Sequence, residues 1–294
     1  MTSLSGDTPS LTEPPVAADT IPMMDELREQ RKRGPRWLQR ILGHPRVVPL
    51  TALLLRARTV RPSTAFVARE VLRRRGACAY RIRSGSVRVF VRHGTSDPVT
   101  LGEVFHERDY APPPGVPQPR RRIVDLGANV GYFGAFAMDA WPDCSVIAYE
   151  PDPMNADLHE RTIVLNGLAD RWELRRAAAA PVSCELRFHA TGDALSHAAD
   201  DGALVVPAED VLPLVAEADL LKMDVEGGEW AILGDERFAA APPRAVVLEY
   251  HPQGAPGPDP RSLALRRLQT AGLTETSTIF HRPDGYGMLW AWRP

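Results

Sequence analysis

Short apolar runs alternate with helix-forming stretches through the second half of the chain. Strand-like runs fall at Ile123–Leu126, Val146–Tyr149, Trp172–Ala177, Leu220–Met223, Ala245–Tyr250, Thr274–Phe280 and Met288–Trp292. Helical stretches intervene, among them Pro153–Asn166, Gly228–Gly234 and Arg261–Thr270. Regular βα alternation predicts a mainly parallel sheet covered on both faces. The last two runs are separated only by His281 to Gly287, a turn too short for a crossover, so they must be antiparallel neighbours.

Ahead of this region the pattern changes. Residues 1–22 are Ser/Thr/Pro-rich and poor in aromatic residues, which predicts disorder. Residues 23–42 fit a basic helix interrupted at Gly34-Pro35, with Trp37, Leu38, Ile41 and Leu42 on one side. It could pack on its own domain or on a second copy of the chain, or touch an anionic membrane surface. A further helix is expected over Ser63 to Arg75. Alternation in Tyr80–Arg83 and Val87–Val91 predicts a hairpin around Ser84-Gly85-Ser86. Ala111-Pro112-Pro113-Pro114-Gly115 reads as a linker. The expected organisation is therefore a disordered 1–22, an N-terminal extension over 23–110, and an α/β domain over 111–294.

Composition narrows the class. The chain has 294 residues, 44% hydrophobic and 24% charged, which suits a soluble globular protein. A net charge of −2 gives no field for nucleic acid. Cys78, Cys144 and Cys184 show no metal or disulfide spacing, which suits a reducing compartment. The N-terminus has no basic-then-apolar leader pattern, and Val47 to Leu55 is too short to span a bilayer. A cytoplasmic location is expected.

The most informative stretch is Ile123-Val124-Asp125-Leu126-Gly127-Ala128-Asn129-Val130-Gly131-Tyr132-Phe133. An apolar run, an acid, a glycine turn and helix formers in that order make the opening strand–loop–helix of a nucleotide-type fold. The next strand ends in Glu150, where an acid can grip a ribose diol. The spacing Gly127-x-x-x-Gly131 lacks the middle glycine that a pyrophosphate demands. This disfavours a nicotinamide-dependent oxidoreductase and favours a ligand with an amino-acid part and a ribose, as in S-adenosylmethionine. A parallel sheet closed by an antiparallel hairpin is the class I methyltransferase (Rossmann-like) plan, seven-stranded here, with an added N-terminal extension.

These residues resemble the FkbM family of S-adenosylmethionine-dependent methyltransferases. The resemblance runs from about Arg92 to Tyr250. It rests on Gly94-Thr95-Ser96-Asp97, Glu103-Val104-Phe105, Tyr110, the glycine loop, Tyr149-Glu150-Pro151-Asp152-Pro153 and Leu165-Asn166-Gly167. It closes with Leu221-Lys222-Met223-Asp224-Val225-Glu226-Gly227-Gly228-Glu229 and Leu248-Glu249-Tyr250-His251. It implies O-methylation of natural products or of sugars and polysaccharides. Methylation of a small-molecule amine and a non-catalytic cofactor-binding protein are the alternatives.

Backbone groups over Gly127–Gly131 are expected to receive the methionine end of the cofactor. Asp125 could fix the loop or meet the ammonium group, Glu150 should accept from the ribose hydroxyls, and Asp152 and Asn155 should face the adenine edge. Asn155 could equally cap the helix that follows. The resemblance adds Tyr110, Ala128, Asn129, Tyr132, Pro151 and Asp224 to the cofactor set. Asp224, Glu226 and His251 are the candidates for deprotonating the acceptor, if burial tunes them toward neutrality. With Glu249 they could instead hold a divalent cation, although no metal is assigned. Glu229 reads as a first-turn acid offsetting a helix dipole, and Lys222 as a counter-ion within the sheet.

Overall fold

The structure, a computed structural model, describes residues 47–192, 196–198 and 201–294. The expected disorder over 1–22 and helix over 23–42 lie outside the described residues. Residues Leu50–Pro294 form one compact unit.

After a helix over Val47–Ala57, a short strand β1 (Val60–Arg61) and a helix over Ser63–Val71 lead into the hairpin β2 (Gly76–Ile82) and β3 (Arg88–His93). These strands make a three-stranded antiparallel sheet in the order β1-β2-β3. The segment between this hairpin and the linker forms a helix over Asp97–Gly102 and a π-helical turn over Glu103–Glu107.

The main sheet follows. Its strands are β4 (Arg122–Leu126), β5 (Ser145–Tyr149), β6 (Trp172–Arg175), β11 (Leu220–Met223), β12 (Ala245–Tyr250), β13 (Glu275–His281) and β14 (Gly287–Trp292). Between β6 and β11 the chain adds β7 (Ala178–Ala180), β8 (Cys184–His189), β9 (His197–Ala198) and β10 (Leu204–Asp210). The main sheet runs β13-β14-β12-β11-β4-β5-β6. All pairs from β12 to β6 are parallel, while β14 is antiparallel to both β12 and β13. Each predicted strand is present, two of them with the expected bounds and the others with ends within two residues, and the antiparallel closure is as expected.

Side-chain alternation sorts the sheet into two cores, because successive residues of a strand face opposite sides. Ile123, Val146, Leu220, Ala245 and Val247 enter one apolar cluster, shared with Phe66, Tyr80 and Val89 of the N-terminal elements. Val124, Ile147, Leu221, Val246 and Leu248 enter the other, under the helices over Glu229–Gly234 and Pro260–Thr270. The strands β7 to β10 make a separate four-stranded sheet in the order β7-β10-β8-β9. The region from Thr191 to Pro207 contributes β9 and part of β10 to it.

Candidate active site

Register builds the floor of the site. Leu126 lies opposite Tyr149 and Met223, and Met223 opposite Leu248. One residue further along each chain, Gly127, Glu150, Asp224 and Glu249 emerge together at the carboxyl edge, where open α/β sheets bind ligands. A cavity of about 550 Å³ opens over them, a volume within the roughly 300–1,000 Å³ of small-molecule sites. Its other walls include Val99, Glu103 and Tyr110, then Leu186 and Phe188 of β8, and Arg282 and Tyr286 from the turn between β13 and β14.

The glycine loop is fixed by backbone contacts. Gly127 adopts φ +76°, and a Cβ there would sit 1.7 Å from the Asp224 carbonyl oxygen. The N–H groups of Gly127 and Ala128 both donate to the Tyr149 carbonyl, at 3.1 and 2.8 Å. Asn129, at φ 50°, donates its N–H to Glu150 Oε2 at 2.7 Å. Gly131, at φ 89°, opens the helix over Tyr132–Ala140 and lies so close to the His159 ring that a Cβ would come within 2.6 Å of it. The loop is thus held from below, with its upper face toward the cavity.

Of the residues expected at the site, Tyr110, Gly127, Ala128, Asn129, Tyr132, Glu150, Pro151, Asn155, Asp224, Glu226 and His251 line the cavity. The structure places Asp125 and Asp152 in the frame behind it, and both are fully buried. Asp125 is the register partner of Lys222, whose Nζ lies 3.3 Å from its carboxylate and donates to the Gly127 carbonyl at 2.6 Å. Lys222 is therefore the expected counter-ion, and through it the buried Asp125 is linked to the glycine loop. Asp152, not Asn155, caps the Pro153–Asn166 helix through the Met154 N–H. Its second oxygen accepts from the Gly192 N–H and the Ser196 hydroxyl, so both carboxylate oxygens are engaged within the protein. Asn155 accepts from Arg92 at 2.9 Å, a contact from β3 that sequence reasoning missed.

Glu150 spends one oxygen on the Asn129 amide and the other on the Asp152 amide, at 2.7 and 2.8 Å. Burial outweighs both bonds and pushes its carboxyl up to about 7. Each oxygen keeps a lone pair, so the ionised group can still accept from a diol. Glu150→Gln is expected to weaken S-adenosylhomocysteine binding by about 10- to 100-fold, the worth of charge-assisted bonds. Only the ionised carboxylate accepts on both oxygens, so wild-type affinity should rise as pH passes upward through about 7. Calorimetric titration from pH 6 to 8 checks both, and a flat wild-type profile would discard the ionic part of the argument.

The second chemical centre lies on the turn after β11. Asp224 sits 3.4 Å from Lys222 Nζ. Glu226 follows at φ 50°, and its Oε2 lies 3.4 Å from His251 Nε2. Burial and then the Asp224 charge push Glu226 up to about 7. Burial pulls the His251 imidazole down, but its hydrogen bond to Glu229 and the charges of Asp224, Glu229 and Glu226 prevail and push it up to about 9. Near neutral pH these shifts favour the imidazolium form of His251 and leave Glu226 near its midpoint.

Glu249 was foreseen only as a possible cation ligand. It accepts from Tyr110 Oη at 3.3 Å and from Tyr286 Oη. Burial, then Asp224, hold it well above the carboxylate range. Asp224, Glu249 and His251 each bring one ligand atom to within 4.8 Å of the others, three of the four residues the sequence suggested, with Glu226 outside the group. Lys222 already supplies positive charge to Asp224 there. Glu229, read as a first-turn dipole acid, does open the Glu229–Gly234 helix, and it is also fully buried and bonded to the His251 backbone and ring. No local pattern could have revealed this, because its partner lies on another strand.

The cavity suits S-adenosylmethionine. The Gly127–Asn129 turn and the buried Glu150, just past β5, line it on one side, and the acids Asp224, Glu226 and Glu249 line it on the other. The sheet order and this crevice define a class I, S-adenosylmethionine-dependent methyltransferase. Residues 125–269 match the family model described as the methyltransferase FkbM domain. Among solved structures, the chain is similar to precorrin-6y C5,15-methyltransferase of Geobacter metallireducens GS-15, at 16% identity and TM-score 0.37, over 60% of this chain and 82% of that one. It is also similar to an O-methyltransferase family protein of Burkholderia thailandensis, at 14% identity and TM-score 0.40, over 66% of this chain and 57% of that one. No curated protein matches it. Among the described residues, no helix is long and apolar enough to cross a membrane.

Proposed function

We propose that the enzyme methylates a hydroxyl group of a natural product or of a sugar or polysaccharide unit, with Glu226 accepting the hydroxyl proton. The observation that carries this reading is the Glu226–His251 pair, 3.4 Å apart on the cavity wall beside Asp224. An alcohol is too weak an acid to lose its proton unaided, so a poised base matters most for that acceptor. When bound, S-adenosylmethionine supplies an electrophilic methyl group on a cationic sulfur.

The chain's own residues divide the remaining tasks. The Gly127–Asn129 backbone and Glu150 hold the donor, with Pro151 and Asn155 flanking it. Asp224, paired with Lys222, remains a fixed charge at the edge of the crevice. Glu226 takes the acceptor proton, while protonated His251 stabilises its ionised form beforehand. Tyr110 and Tyr286 offer aromatic faces and hydroxyls beside Glu249 on the acceptor side.

The carboxylates around the crevice would also attract an ammonium group, which keeps an amine acceptor as the second reading. Assaying matched pairs of acceptors, differing only in hydroxyl against amine, separates the two. Methyl incorporation into the hydroxyl member is expected; transfer to the amine alone would replace O-methylation by N-methylation.

A further inference from the structure

We infer that Glu229 is a positioning residue for methyl transfer, holding His251 and Glu226 in one mutual geometry through a single buried carboxylate. This rests on the Glu226–His251 reading above. Glu229 is fully buried, as the first residue of the Glu229–Gly234 helix. Its Oε1 accepts from the His251 N–H at 2.7 Å and lies 3.2 Å from His251 Nδ1. Its Oε2 accepts from the Gly227 N–H at 2.8 Å. One carboxylate therefore ties the turn that carries Glu226 to the strand end that carries His251.

The consequences for the ring are specific. With Nδ1–H donated to Glu229, Nε2 is the nitrogen turned toward Glu226. The ring packs on Tyr286, centroid to centroid 5.2 Å, and Trp230 Nε1 donates to the His251 carbonyl at 3.0 Å. Neither contact chooses which nitrogen faces the cavity; Glu229 does, as the second group oriented behind a catalytic imidazole does generally. The charged groups around the imidazole are Glu229, Glu226, Asp224 and Glu249, and Tyr286 is the titratable ring against it. Of the four acids, Glu229 alone bonds the ring and is fully buried, so its charge is the least screened. In the transfer step the acceptor oxygen would gain the methyl group as the donor's sulfur–methyl bond breaks, leaving a neutral thioether, and the acceptor proton would pass to Glu226. The imidazolium keeps both of its protons throughout.

The test uses the full chain with Glu229→Gln and Glu229→Asp. For each, the pH profile of kcat, the His251 titration by nuclear magnetic resonance, and S-adenosylhomocysteine affinity are measured. Glutamine keeps the shape but loses the charge and sets an N–H against a backbone N–H. E229Q is expected to lower kcat by about tenfold or more and to move the alkaline limb and the His251 titration down by about one pH unit or more. Its S-adenosylhomocysteine affinity should stay within about twofold, because Glu229 does not line the cavity. E229D keeps the charge and should show a smaller displacement of both. If E229Q fails to fold, E229D alone reads the same quantities. Unmoved titration and an unmoved alkaline limb in whichever variant folds would overturn the inference, even if activity fell. Failure of the underlying base assignment looks different: Glu226→Gln would then turn over normally while the His251 titration still shifted in E229Q.

Discussion

Glu226→Gln is expected to lower kcat by about 10²- to 10⁴-fold, the usual worth of a general base, while S-adenosylhomocysteine affinity changes by less than about threefold. Glutamine preserves volume and cannot accept a proton, so a loss confined to kcat isolates the proton transfer. The wild-type pH profile should be bell-shaped. Its acid limb rises as Glu226 ionises near 7, because only the carboxylate can take the proton. Its alkaline limb falls near 9, where His251 loses the charge that stabilises ionised Glu226. The two groups are 3.4 Å apart, so the apparent values belong to the pair rather than to either residue. E226Q should lose the acid limb. Undiminished turnover in E226Q would remove Glu226 from the mechanism, and an inverted profile, highest below pH 6, would exclude both assignments.

The framework that supports this chemistry was largely legible in the chain. Strands buried on both faces write themselves as apolar runs, and the Pro153–Asn166 helix announces itself through Pro153 at its first position and Gly167 after its last. The second sheet was not legible. Ala178–Ala180 is made of helix formers, β9 has two residues, and β8 is mostly exposed, so none carries a clear period. Within the site, strand-end acids were visible as a type but not by role. Glu150 follows β5 and faces the cavity, whereas Asp125 is still inside β4, opposite Lys222, and is consumed there. Two positions of register separate a cavity-lining acid from one held inside the sheet. Glu229 and Glu249 depend on pairing between β11, β12 and β14 and on the turn that brings Tyr286 over them. Such non-local placement leaves no trace in local spacing.

Gly127→Ala is expected to abolish S-adenosylhomocysteine binding and to cost about 3 kcal/mol or more of folding stability, the scale of substitutions at strained or overpacked positions. Two penalties combine. At φ +76° an alanine pays the left-handed cost of about 1 kcal/mol. Its Cβ would also lie 1.7 Å from the Asp224 carbonyl, which is backbone and cannot rotate aside. Relief requires the loop to lift off β11, breaking the Gly127 and Ala128 bonds to Tyr149 and the Lys222 bond to Gly127. Gly167→Ala supplies the contrast. Its φ of +63° carries a similar left-handed cost, but a Cβ there meets nothing within 4 Å at the end of the Pro153–Asn166 helix. That variant should lose only about 1 kcal/mol and bind the ligand normally. Denaturant unfolding of both variants, followed by ligand titration, measures the difference. Equal losses at the two positions would mean that backbone conformation alone, and not contact between the loop and the Asp224 turn, dictates glycine at 127.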